Sequence, residues 1–145
     1  MNFVILGCGR VGSRLAVLLD KMGHNVAIID RTSDAFKRLP TTFKGRAVIG
    51  IGIDEDVLKS AGIEQADVFA AVTNGDNTNI MASQVAKELF QVPRVIARIY
   101  DPIREGTYHA LGLDTICPTT LITNQIINDV LSGDMLPGSN KVANR

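Results

Sequence analysis

Six short, mainly apolar segments alternate with segments of helical spacing, and this alternation limits the possible folds of the chain more than any other feature. The predicted strands are residues 3–6, 26–29, 47–49, 68–72, 94–99 and 115–117. Between them apolar side chains recur at the spacing of a helix face, as at Val11, Leu15, Leu18, Leu19 and Met22. Strict alternation of strands and helices favours a parallel sheet with helices on both faces. We therefore predict an α/β fold, a Rossmann-like doubly wound sheet of six parallel strands.

Capping residues and prolines indicate where the predicted helices begin. Ser33 is a good N-cap for a short helix over residues 33–39, and Asp54 caps a second one. A longer helix is predicted over residues 76–90, and Pro118 opens the last one. The side chains expected to face inward from the longer helix are Ile80, Val85, Ala86 and Leu89.

The length and composition indicate one compact domain. The chain has 145 residues, of which 46% are hydrophobic, so a buried core is expected. We assign residues 1–132 to the domain and residues 133–145 to a linker or tail. Lysine plus arginine equals aspartate plus glutamate, 15 of each, so no basic nucleic-acid surface is expected. No targeting signal and no membrane-spanning stretch is evident, which predicts a cytoplasmic protein without direct membrane insertion.

A glycine motif of the G-x-G-x-x-G type joins the first strand to the first helix. It consists of Gly7, Cys8, Gly9, Arg10, Val11 and Gly12. In this context Gly7 allows a tight turn, Gly9 lets a phosphate approach the backbone, and Gly12 lets the helix pack on the strand. The helix N-terminus then offers N–H groups and a partial positive charge. Arg10 could hold a phosphate by its charge.

An acidic residue stands where the ribose of a dinucleotide would lie. Asp30 ends the second strand, 18 residues after Gly12, and a carboxylate there accepts hydrogen bonds from ribose hydroxyls. Its charge disfavours a 2′-phosphate, whereas the neighbouring Arg31 softens that repulsion. Motif, context and acid together predict adenine-nucleotide binding. The alternative is a fold of this type with a vestigial site.

Further polar residues follow the fourth strand or lie near the end of the fifth, at the edge where open α/β sheets bind ligands. They are Thr73, Asn74, Asp76, Asn79 and Arg98. For Asp76 and Asn79 the alternative to ligand contact is helix capping. For Arg98 the alternative is a surface ion pair.

The chain shows no set of residues for catalysis. His24 and His109 are expected to be surface residues rather than acid–base catalysts. Cys8 sits where a helix N-terminus could lower a thiol pKa, although a small residue filling a tight turn is the simpler interpretation. No metal cluster or nucleophile–base pair is evident. A small NAD-dependent oxidoreductase, or a fragment of one, is nevertheless the rival function.

Several ordered segments resemble the RCK or KTN family, the Trk/Ktr-type regulators of potassium conductance. Beyond the glycine motif and Asp30, the resemblance covers Val48-Ile49-Gly50, Ala61-Gly62-Ile63, Ala71-Val72-Thr73 with Asp76 and Asn79, Ala97-Arg98, Asp101-Pro102, Leu111-Gly112, Asp114 and Pro118. One departure is Ile51, since the family usually has an acidic residue after the glycine that ends strand three. That departure affects one contact on the adenosine side, next to Gly50.

The resemblance carries functional expectations. It implies a homodimer or higher homo-oligomer that binds NAD(H), ATP/ADP or a related nucleotide, and that gates a membrane potassium channel or transporter subunit. Such a domain would be cytoplasmic and peripheral to the inner membrane through its partner. A nucleotide-binding module fused to another transporter or antiporter is a third possibility.

The last helix carries a broad apolar stripe. It comprises Leu121, Ile122, Ile126, Ile127, Val130 and Leu131, a wider set than one sheet face needs. With the family resemblance, this stripe predicts a dimer interface. The alternative is that the stripe covers the edge of the sheet.

Overall fold

The computed structural model describes residues 1–132, which form a single six-stranded sheet with all strands parallel. The strands are β1 Asn2–Leu6, β2 Asn25–Asp30, β3 Arg46–Ile49, β4 Val68–Ala71, β5 Arg94–Arg98 and β6 Asp114–Ile116. Their order in the sheet is β3-β2-β1-β4-β5-β6. Successive strands are therefore added on one side of β1 up to β3 and on its other side from β4 onward, and this switch point between β1 and β4 creates a crevice at the carboxyl ends of the strands. The predicted fold is confirmed, and residues 133–145 lie outside the described residues.

Five α-helices are described between and after the strands. They are α1 Arg10–Lys21, α2 Glu55–Ser60, α3 Asp76–Gln84, α4 Pro102–Ala110 and α5 Pro118–Leu131. Asp54 caps α2 as predicted, since its carboxylate accepts the N–H of Asp56. None of these helices has the length and hydropathy needed to cross a bilayer.

Two predicted helices differ in detail from the observed ones. The segment after β2 is a 3-10 helix, Ser33–Arg38, whose N-cap is Thr32 rather than Ser33. After α3 the chain continues as a π-helical turn, Val85–Leu89. The wider turn shifts the side chains that follow it around the helix axis, so Leu89 is exposed rather than inward-facing.

The core lies in two layers because successive strand residues point to opposite faces of the sheet. On one face, Ile5 and Ile28 pack with residues of α1 and of the 3-10 helix. On the other, Leu6, Ile29 and Phe69 pack with residues of α2 and α3. Both faces are thus covered near the switch point, which fixes the loops that leave the strands there.

The buried face of α1 is narrower than its apolar spacing predicts. Its buried residues are Gly12, Ser13 and Ala16, with Leu15 and Leu19 partly buried beside them. The other predicted inward residues, Val11, Leu18 and Met22, are exposed. Small residues on the buried side let the helix backbone lie close to the sheet, so its flanks stay in solvent.

The last helix, α5, packs none of its residues into the core. None of the residues in Pro118–Leu131 is buried, and Val130 is 72% exposed. The alternative that its apolar stripe covers the sheet edge is therefore wrong. The stripe lies open on the surface of the described chain.

Candidate functional site

The glycine loop is held tightly against the start of the β4–α3 loop. Gly7 has φ +105°, and a Cβ built on it would lie 2.9 Å from the backbone nitrogen of Thr73. A Cβ on Gly12 would overlap the carbonyl oxygen of Gly7. Both positions therefore require glycine, Gly7 for its conformation and Gly12 for the close approach of α1 to the turn.

Gly9 differs from the other two motif glycines because the space beside it is open. No heavy atom lies within 4 Å of a Cβ built there, and its φ of −84° suits any residue. Gly9 is the N-cap of α1, no side chain caps the helix, and the first turn contains no acidic residue. The first N–H groups of a helix lack partners within the helix, so an anion can approach here. The exposed Arg10 begins the helix beside this space.

Asp30 links the end of β2 to the glycine loop. Its carboxylate accepts the backbone N–H of Cys8 at 2.9 Å, and both the N–H and the hydroxyl of Thr32 at 3.0 Å. Burial raises the pKa of the Asp30 carboxyl, but these hydrogen bonds and the nearby charge of Arg31 outweigh that effect and lower its pKa. Asp30 is therefore a carboxylate at neutral pH. Three hydrogen bonds leave part of its acceptor capacity free.

Cys8 fills the interior of the turn. Its side chain is fully buried, and its thiol donates to the carbonyl of Ala35 at 3.4 Å. Burial, followed by the negative charge of Asp30, raises the pKa of the thiol to about 11. The interpretation of Cys8 as a small residue in a tight turn is confirmed, because a helix N-terminus does not activate this thiol.

Asn79 connects the loop after β4 to the end of β5 from inside the protein. Its side-chain oxygen accepts the N–H of Thr73 at 3.0 Å and its hydroxyl at 2.6 Å. Its amide donates to the carbonyls of Thr73 and Arg98, each at 2.8 Å. These four bonds use the whole hydrogen-bonding capacity of a fully buried side chain. Asn79 thus positions Thr73.

Arg98 brings a positive charge to the same edge without an acidic partner. Its guanidinium donates to the carbonyls of Val72 and Thr73 at 2.6 and 3.0 Å, and lies 4.8 Å from the ring centre of Tyr100. Its Nε is buried and has no hydrogen-bond partner. Within residues 1–132 the one ion pair joins Lys37 and Asp34, so the predicted alternative of an ion pair at Arg98 is wrong.

Asp76 stabilises the loop after β5. Its carboxylate accepts the backbone N–H groups of Tyr100 at 2.8 Å and Asp101 at 3.2 Å. Gly75 is the N-cap of α3, so the capping alternative is wrong for both Asp76 and Asn79. The neighbouring Asn74 is exposed at the start of the loop.

Gly50 lies at the carboxyl end of β3, next to Asp30. Its N–H donates to the Asp30 carbonyl at 3.0 Å, and a Cβ here would overlap the side chain of Val57. Ile51 follows and is 59% exposed. The predicted residues of β1 to β5 therefore line one continuous edge, in the order Gly50, Asp30, Gly7, Thr73 and Arg98.

Three supporting residues were missed by sequence reasoning. Thr32 binds the Asp30 carboxylate, Ser13 donates its hydroxyl to the carbonyl of Gly9 at 2.6 Å, and Tyr100 lies beneath Arg98. The Asp-x-Thr spacing at Asp30 was a usable signal, since aspartate often binds the backbone two residues on. The other two contacts are also local, since a helical serine can donate to the carbonyl four residues before it, and Tyr100 is two residues from Arg98.

Neither histidine lies at this edge. The ring of His24 lies 5.2 Å from that of Phe3, near the opposite ends of the strands, and His109 is exposed on α4. Across residues 1–132 no cluster of three or more His, Cys, Asp or Glu residues could hold a metal ion. The residues brought together at the carboxyl edge suit anion and ribose binding better than acid–base chemistry.

The sequence that forms this edge of the sheet matches a family model. The TrkA-N domain model matches residues 3–119, from β1 into the first turn of α5. The chain belongs to the TrkA-N family. The match includes the glycine loop, Asp30 and the β4 and β5 loops, so the predicted family is confirmed.

A TrkA-N relative in Streptomyces coelicolor, named Trk system potassium uptake protein TrkA, is 50% identical over 137 residues. The alignment covers 94% of this chain but 61% of the relative. The chain therefore spans less than two thirds of that relative's length.

The solved structures that resemble this TrkA-N domain with sequence identity of 25% or more include two of GsuK. One is described as GsuK bound to ADP, with TM-score 0.73, 25% identity, and coverage of 92% of this chain and 34% of that one. The other is described as the GsuK channel bound to NAD, with TM-score 0.72, 26% identity, and coverage of 88% and 22%. This likeness agrees with the observed fold.

Proposed function

We propose that this TrkA-N domain binds an adenine nucleotide, either NAD(H) or ATP/ADP, at the carboxyl edge of its sheet. The observation that carries the proposal is the open space at Gly9, above an uncapped helix N-terminus that has no acidic residue in its first turn. Gly7 and Gly12 are closely packed, so Gly9 is the motif glycine with room for a phosphate. The two GsuK structures, one bound to ADP and the other to NAD, support the same ligand class.

In this proposal each predicted residue has a role set by its contacts. Asp30 uses its free acceptor capacity for the ribose hydroxyls, with Arg31 beside it and Gly50 and Ile51 forming the adenosine side. The backbone of the loop from Gly7 to Gly12 holds the phosphates.

Beyond the phosphates, Thr73 and the exposed Asn74 face the ligand, while Asn79 and Asp76 hold their loops in place. Arg10 and Arg98 supply positive charge. Arg98 suits this role because no acidic side chain neutralises it within residues 1–132.

We further propose that the domain is a cytoplasmic regulatory part of a membrane potassium channel or transporter, and that it is not an enzyme. The name of the Streptomyces relative supports the potassium-transport role. A homodimer through the exposed stripe of α5 would set two nucleotide sites in a fixed relation. A ligand that favours one dimer geometry would then shift the equilibrium between the open and closed states of the membrane channel or transporter.

The rival function, a small NAD-dependent oxidoreductase, requires a proton donor beside the cofactor. Neither histidine is near the edge, and the thiol of Cys8 has a pKa of about 11. Two measurements separate the functions. Mass spectrometry of the purified protein identifies any bound nucleotide, and a hydride-transfer assay with NADH and small carbonyl substrates measures turnover. Bound nucleotide without turnover supports the regulatory role, whereas sustained turnover would overturn it.

A further inference from the structure

Positive charge is concentrated in the first third of the chain. Residues 1–46 contain eight lysines or arginines and three acidic residues, whereas residues 47–132 contain five and eleven. On α1, Arg10, Arg14 and Lys21 lie within about 40° of each other around the helix axis, given about 100° per residue. All three are exposed, so they form one cationic stripe along the solvent side of the helix.

A groove runs between this stripe and the segment that follows the 3-10 helix. One cavity of about 440 Å³ and a second of about 200 Å³ share Val17, Lys21 and Pro40 in their walls. We call this recess the α1 groove and define it by Arg14, Val17, Lys21, Arg38, Pro40 and Lys44. It extends for about 10 Å beside α1, the length of seven helical residues.

The cations of the α1 groove have no acidic partners within residues 1–132. The one ion pair there, Lys37–Asp34, does not involve them. Asp20 is the acidic residue in the groove wall, and its carboxylate already accepts the backbone N–H of Lys44 at 3.0 Å. Four exposed cations without an ion-pair partner therefore surround Val17 and Pro40 in this part of the described chain.

We propose that the α1 groove binds an acidic peptide segment of a protein partner. Carboxylates of the segment would pair with Arg14, Lys21, Arg38 and Lys44, and its apolar side chains would enter the recess over Val17 and Pro40. An elongated recess between two chain segments suits a peptide better than a lipid surface, which would contact only the exposed rim. Complementary charge of this kind steers association and fixes the register of the partner.

The proposal is independent of nucleotide binding and is tested without nucleotide. The probe is a fluorescently labelled helix-forming peptide of glutamate, alanine and leucine, with a glutamine-for-glutamate peptide as its control. Binding to the full chain is followed by fluorescence anisotropy at low and high salt. The test variant is Arg14→Glu with Lys21→Glu, and the matched control is Lys59→Glu with Arg94→Glu, two exposed positions outside the groove.

The expected result is salt-sensitive binding of the acidic peptide that the groove variant weakens about tenfold and the control leaves within about twofold. Arg14→Gln with Lys21→Gln serves as a milder variant, and thermal melting checks the fold of each. Equal losses in groove and control variants, or no binding by the native protein, would overturn the proposal. So would a groove variant that loses binding to phosphatidylglycerol vesicles while keeping the peptide, because the surface would then be a membrane contact.

Discussion

Replacement of Gly9 by valine separates ligand binding from folding. No atom lies within 4 Å of the new Cβ, and the backbone is already in a region open to valine. The cost to stability is the poorer N-cap, about 0.5–1 kcal/mol, or roughly 3 °C in Tm. The same side chain fills the space proposed for the phosphates. Loss of two charge-assisted hydrogen bonds at about 1.5 kcal/mol each weakens binding by at least about a hundredfold.

Gly12→Ala is the matched control for this prediction. Its single methyl group overlaps the Gly7 carbonyl oxygen, so it destabilises the fold by about 1–3 kcal/mol or more. Urea unfolding measures stability, and fluorescence titration with a labelled ADP measures affinity. A Gly9→Val protein that folds normally and binds ADP with native affinity would refute the assignment of the phosphate site. A Gly12→Ala protein as stable as the native one would contradict a different point, the close approach of α1 to the turn at Gly7.

Four other residues or surfaces provide further tests: Asp30, Asn79, Cys8 and the apolar stripe of α5. Asp30→Ala should weaken adenine-nucleotide binding by about 1–3 kcal/mol, and unchanged affinity in calorimetry would remove Asp30 from the site. Because the folded pKa of Asp30 is lowered, its contribution to stability is present above its ordinary value of 3.8 and is lost as pH falls through the lower folded value. Asn79→Ala should lower the free energy of unfolding by about 3 kcal/mol in urea titrations, since it strands several buried partners; a loss below about 1 kcal/mol would contradict its bridging role. The Cys8 thiol should resist iodoacetamide at pH 8 in the folded protein and react once unfolded, as followed by mass spectrometry, and rapid labelling of folded protein would contradict its burial. Ile126→Glu combined with Val130→Glu should convert a dimer to a monomer in analytical ultracentrifugation, and a double variant that stays dimeric, or a native protein that is already monomeric, would remove α5 as the interface.

The sequence predicted the sheet and its edge well because those features are encoded locally. Apolar runs mark buried strands, and the glycine motif has the same context in the structure as in the sequence. Parallel strands place their carboxyl ends together, which is why Asp30, Thr73 and Arg98 could be assigned to one edge before their contacts were known.

The errors arose where features other than local spacing determine which side chains face inward and which residues bond. Spacing placed Leu18 inward, but small residues on the opposite side of α1 bring that side to the sheet. Spacing also placed Leu89 inward, but a π-helical turn shifts it. The four hydrogen bonds of Asn79 join residues up to 19 positions apart, and no local pattern indicates such a bridge.

The measurement that tests nucleotide binding most directly is calorimetric titration of the native protein with NADH, NAD, ATP and ADP in turn. The account predicts saturable binding of at least one of them, with one molecule per chain at the site beside Gly9. A correctly folded native protein that binds none of the four at millimolar concentration would contradict the account.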